Sequence, residues 1–512
     1  MKRILFLILL ICCSCGKQQT PKKERANPLR LNFTQEPTTF DSIKASDYVS
    51  TSLQFLIGEG LTRALPNQPV ALAIADNIEI SSDRRIYTFH IRKAKWSDGT
   101  FITAFDFERG WKKALRPEQP CSNSLLFFSI LGAKKAKLEG GSLDEVGIKA
   151  LNSSTLQVTL ERPVEHFLQI TCFCTLFPIH ENPKVFCGPY VIESYKPEHF
   201  LILKKNPHYW DAKNVSCQRI HISLIKDSDT AFELFKKNEL DLIGMPFTPL
   251  PSETTKQLDS SHPISFQSAA ATNLICFNLT HPFLANLNLR KAISYAIDKK
   301  AITSHITQLH ESPAYTLVPP SVYVGANQTD SFSIQNARFH LKLALEELHI
   351  SKEELEYLNL SYSSSSAVAK SAEAIEAQIF EALGVHIRLE PLDQKMFMEH
   401  LFKREFDFSI CTIVAQYFDP MNFLERFSDT GGVRNYPNFQ SSQYNEIISK
   451  INTETIRDMR AIYINEAEEL LRRDLPIFPL YYNSAAYIIN PSIENVQTNP
   501  TGGLLLTGVR FL

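Results

Sequence analysis

Apolar and polar positions alternate in short runs along most of the chain, and these runs interleave with stretches of helical spacing. Tyr87–Arg92 alternates as a half-buried strand does, and Asp98-Gly99 marks a turn after it. Thr103 then precedes Ala104, Phe105, Phe107, Trp111 and Leu115 at helical spacing, with Asp106 three residues on. That order predicts a helix capped by Thr103. Leu156–Leu160 and Phe200–Lys204 read as further strands. Leu289–Ile302 places Ala292, Ile293, Ala296 and Ile297 on one helical face. Ala367–Leu383 predicts a helix that stops at Gly384, followed by strands over Val385–Leu389 and Phe406–Ile410. Strand and helix signals alternate without an internal repeat, which indicates a mixed α/β protein. A chain of 512 residues exceeds what one core of roughly 250–300 residues holds, so two or more lobes are expected.

The first fifteen residues have a different character. Lys2 and Arg3 precede an unbroken apolar run, Ile4–Ile11, then Cys12-Cys13-Ser14-Cys15. A basic start, a short apolar core and small residues at its end make a secretory signal; the run is too short to span a bilayer. The cysteines point further, to acylation of a thiol at the cleavage point. Cys15, preceded by the small Ser14, is the expected lipid-bearing residue, and Cys13 is the alternative, with Leu10 three places before it. Residues 16–28 are polar, charged and proline-bracketed, and read as a tether.

The formal net charge is −2, and loss of the signal would remove two positive charges more. That balance argues against a nucleic-acid partner. Seven cysteines follow the signal: Cys121, Cys172, Cys174, Cys187, Cys217, Cys276 and Cys411. An odd number cannot all pair, and spacing alone does not assign partners. Catalytic signatures are missing: the chain has no Gly-x-Ser-x-Gly elbow and no His-Glu-x-x-His zinc helix. His166, Cys172, Cys174, His180 and Cys187 are of zinc-ligand type, but their spacing matches no zinc module. Neither a metal nor another cofactor is expected, nor is an enzyme.

An ordered series of longer segments is more specific. It runs Gln35–Asp41, Gly58–Leu61, Tyr87–Arg92 to Trp96–Gly99 with Thr103–Phe107, Gly188–Tyr190, Asn206–Trp210 and Asn238–Asp241. Then come Asn278, Leu289–Ile293 to Asp298, Phe406-Asp407, Asp419-Pro420 to Leu424, and Leu475–Tyr481. With this series the sequence resembles the large extracellular solute-binding proteins of family 5, which serve peptide and nickel importers of the ABC type. It is closest to the oligopeptide-binding lipoproteins among them.

The resemblance implies a two-lobed α/β clamp with a small domain inserted in the first lobe and a two-strand hinge. The first lobe would comprise 29–58, 184–275 and 488–512, the insertion 59–183 and the distal lobe 276–487, with crossings near Ala271–Asn278 and Tyr487–Asn490. It implies a monomer, lipid-anchored outside the cytoplasm, that captures peptides in the interlobe cleft and delivers them to a permease and its ATPase subunits. Ligand contacts are expected from Tyr48, Gln394, Gln416, Tyr417 and Arg434. Many family members hold the peptide's α-amino group with an aspartate at the position of Gln416, and some place an arginine at that of Ile410. Glutamine accepts a hydrogen bond from ammonium but supplies no countercharge. Ordinary oligopeptides, modified cell-wall peptides with a blocked N-terminus, and a metal chelate or haem therefore stay open as ligands, as does a surface adhesin or receptor on the same fold.

Overall fold

The computed structural model describes residues 28–512, apart from 67, 246, 252–262, 326–331, 365, 429–433 and 500–502. The signal segment with Cys15, and the tether up to Asn27, lie outside the described residues.

The first strand, Leu29–Phe33, buries Leu29, Leu31 and Phe33 completely. It pairs in parallel with Arg219–Leu224, and Phe200–Lys205 and Tyr190–Lys196 extend the sheet antiparallel. The helix Tyr48–Ile57 starts where the Asp47 side chain accepts the Ser50 N–H at 2.8 Å. It lays Val49, Leu53 and Leu56 into the same core.

A second body has its own antiparallel sheet, in the order Ala75–Ile80, Ile86–Ile91, Thr155–Thr159, Ile148–Asn152. The helix Ala104–Ala114 begins as its sequence predicts: Asp106 Oδ2 receives the Thr103 N–H at 2.8 Å and its hydroxyl at 3.0 Å. Phe107 and Trp111 from this helix are fully buried, and the Trp111 indole N–H reaches the Leu176 carbonyl at 2.8 Å.

A seven-stranded sheet joins the remainder. Its order is Leu242–Gly244, Ile477–Ile489, Ser265–Phe277, Phe408–Val414, Asn359–Ser363, Arg388–Leu392, with Ser312–Pro313 added beside Ile477–Ile489. The two central strands are 13 residues each. At one end Ser265–Ser268 pairs with Ser484–Tyr487; at the other, Ala271–Phe277 pairs with Phe408–Val414. Between them the register shifts, so that Ala269, Ala270 and Ala271 stand opposite Asn483 alone. Such a bulge bends and twists a strand pair locally. Large apolar cores lie to either side of it. The molecule is thus a two-lobed α/β clamp crossed by two strands. Among the described residues no helix is long and apolar enough to cross a membrane.

Three elements differ from expectation; one is the strand expected over Phe406–Ile410, which is found at Phe408–Val414. The helix expected over Leu289–Ile302 spans Leu287–Tyr295, and a new turn starts at Lys299 because the Asp298 side chain accepts the Ala301 N–H at 3.0 Å. A side chain that caps one helix start interrupts the helix before it. All four residues of the expected face are still buried. The helix ending at Gly384, φ +63°, is found as Ser366–Leu383, but the strand after it begins at Arg388, and Val385 and Ile387 are buried in the irregular chain before it.

Candidate functional site

The strand Phe408–Val414 is buried along most of its length. Its chain then leaves the sheet. The Ala415 N–H donates to Ala270 O at 2.8 Å, within the bulge, and the Gln416 N–H donates to Asn422 Oδ1 at 2.9 Å. Asn422 belongs to the short helix Met421–Leu424, whose start is held by the Asp419 carboxylate, which accepts the Met421 N–H at 2.9 Å. Asp419 is also ion-paired with Arg460 at 2.7 Å.

This segment meets the body that carries the second sheet. The Gln416 side chain donates through Nε2 to Asn123 Oδ1 at 2.5 Å. Arg434 donates through Nε to Ser122 O at 2.9 Å and through Nη2 to the same Asn123 Oδ1. Asn123 is fixed in turn, its Nδ2 donating to Ala45 O at 2.9 Å and Thr175 Oγ1 at 3.2 Å. Tyr417 stacks on His166, with ring centroids 4.7 Å apart and planes 5° from parallel. His166 Nδ1 lies 3.7 Å from Asp419 Oδ1. The seam is therefore closed in this structure.

Burial governs its electrostatics. It lowers His166 against the pull of Asp419. Burial also works against ionisation of Asp419, but His166 and Arg460 outweigh it and hold the carboxyl below its usual range. Glu425, which receives the Tyr417 hydroxyl at 2.7 Å, is pushed up to about 7 by burial. Arg426 is brought down to about 10 by burial, with Arg434 nearby adding to the effect.

Of the five expected contact residues, the structure brings Gln416, Tyr417 and Arg434 together. Tyr48 begins the helix three residues after Ala45, whose carbonyl holds Asn123. Gln394 lies elsewhere, accepting the Ser363 hydroxyl at 2.8 Å. Ile410 is buried in the core. The zinc-type residues have separate surroundings: Cys172 contacts the Thr62 hydroxyl at 3.2 Å, Cys187 the Glu59 backbone, and His180 stands 3.6 Å from Asp98. Among the described residues, no group of three or more His, Cys, Asp or Glu is arranged to hold a metal. Sequence reasoning missed Ser122, Asn123, Glu425 and Arg426. Asn123 sits in a polar turn with no motif, and Arg426 is hidden in an apolar helical stretch.

The family model for bacterial extracellular solute-binding proteins, family 5 Middle, matches residues 69–435. The chain belongs to this family. Its similarity to single members spans nearly its full length. It is 30% identical to the oligopeptide-binding protein OppA of Bacillus subtilis, over 99% of this chain and 98% of that one. It is 29% identical to the dipeptide-binding protein DppE of the same organism, over 95% and 92%. The substrate-binding domain of an oligopeptide ABC transporter from Bacillus anthracis superposes with a TM-score of 0.86 at 26% identity, covering 96% of this chain and all of that one. In this family 5 chain, the seam at Gln416 is where the two sides of the clamp meet.

Proposed function

We propose that this family 5 protein is the capturing component of an ABC importer, that it takes peptides into its interlobe cleft, and that it hands them to a membrane permease worked by ATPase subunits. The observation that carries this reading is the near full-length likeness to an oligopeptide-binding relative. The position of Gln416 and Tyr417 on the interlobe seam supports it. A cleft of this kind holds peptide main chain in a strand-like manner and gains affinity independent of side chains. The protein acts as a monomeric binder outside the cytoplasm, without catalysis, held on the bilayer by acyl groups at Cys15. The division into 29–58, 184–275 and 488–512, the insertion 59–183 and the distal lobe 276–487 belongs to the same proposal, as do ligand contacts from Tyr48, Gln394, Gln416, Tyr417 and Arg434.

Mass spectrometry of the ligand released from natively purified protein tests the reading. Peptide masses are the expected result, and calorimetry with the recovered peptide should then give saturable binding. Recovery of a metal chelate or haem alone would overturn it.

A further inference from the structure

The seam carries positive charge where an ammonium anchor would need negative charge. Gln416 Nε2 and Arg434 Nη2 converge as donors on one oxygen, Asn123 Oδ1. Arg426, only 5% exposed, spends Nε on Asn422 O at 2.9 Å and Nη2 on Val414 O at 3.3 Å. The Nη1 groups of Arg426 and Arg434 donate to no side chain or carbonyl among the described residues. Neither guanidinium has a carboxylate within ion-pair distance among those residues. The acid that acts on both is Glu425, which is engaged by Tyr417 and, pushed up to about 7, is only partly ionised near neutral pH.

We propose that Arg426 and Arg434 form a carboxylate-binding subsite in the cleft, so that this protein prefers peptides that set an acidic group, in place of a free α-amino group, beside Gln416. The subsite rests on the peptide reading above. A dry guanidinium without a counterion is costly, and a ligand carboxylate relieves that cost through charge-assisted, fork-like bonds. An ammonium at the same place meets two converging donors and two like charges. Two sources supply the carboxylate: an acidic side chain or the peptide's own C-terminus.

Calorimetry with four peptides separates these. The set is an alanine-based tetrapeptide with one glutamate, its glutamine counterpart, and both again as C-terminal amides. The acidic member is expected to bind about 10-fold tighter or more than its neutral counterpart. A difference that follows glutamate assigns the side chain as the source; one that follows the free C-terminus assigns the terminal carboxylate; both support the subsite. Arg434→Gln should bring the preference to within about 2-fold. Gln416→Asp, which leaves both arginines in place, should turn the preference towards the neutral peptide. Equal affinity of the wild-type protein for all four would overturn the subsite and leave the peptide reading standing. Failure of all four to bind would overturn both.

Discussion

Glu425 shows how one buried carboxyl is held between two states. Its ordinary carboxylate range is left behind because burial disfavours the charge, while the Tyr417 hydroxyl at 2.7 Å and Arg426 pull the other way without prevailing. The folded group takes up its proton at about 7 and the unfolded group near 4.5. Between those values the folded state binds more protons than the unfolded one. Relative to alkaline solution, the protonated group therefore contributes stability that is fully present below about 4.5 and lost as pH rises through about 7. Glu425→Gln keeps an acceptor for Tyr417 and removes the titration. Its thermal midpoint should exceed that of the wild type at pH 8, and the gap should narrow steadily towards pH 4.5. A constant gap across the range would show that Glu425 does not titrate there.

At the scale of elements, close backbone contact pins distant stretches of the chain together. A Cβ on Gly188 would come within 2.3 Å of Gly58 N and 2.4 Å of Ile57 C, both backbone atoms. Gly188 N also donates to Ile57 O at 2.9 Å, so the chain is pinned against the end of the helix Tyr48–Ile57. Gly188→Ala should destabilise the protein by about 2 kcal/mol or more, since backbone cannot yield as a side chain does. Chemical denaturation checks this; a loss under about 0.5 kcal/mol would mean that the contact opens freely. What was legible in the sequence follows the same division between local and distant contact. The strand Ile86–Ile91 and the Thr103 cap were readable because their alternation and capping are decided within a few residues. The break at Asp298 was not, because a helical face and a capping aspartate gave competing local signals. On the seam, Gln416 was found by its place before Asp419-Pro420. Asn123 was not, because its role arises only when residues nearly 300 positions apart are brought together.

Across the whole molecule, the lobes are tied by two long strands whose pairing is interrupted at Ala269–Ala271. A second register shift follows between Asn273 and Leu274, so bending concentrates over this stretch of interrupted pairing, Ala269–Leu274. A ligand shifts the balance between open and closed arrangements only by its differential affinity for them. Asn123→Ala removes the acceptor shared by Gln416 and Arg434 and should favour the open arrangement in the unliganded protein. Small-angle scattering should then give a larger radius of gyration than for the wild type, and saturating peptide should reduce both to a common value. An identical radius in all four samples would count against a clamp closed by this seam.

The seven cysteines of the folded body are all buried thiols, and burial pushes that of Cys121 up to about 11 and those of Cys172 and Cys187 up to about 12. Thiols so protonated and enclosed are poor nucleophiles. This enclosure has a consequence for how the chain folds. Once folded, the chain shelters these sulfurs from oxidants and alkylating agents in its surroundings. Any moment of vulnerability comes before folding is complete, while those same sulfurs are still open to wrong partners.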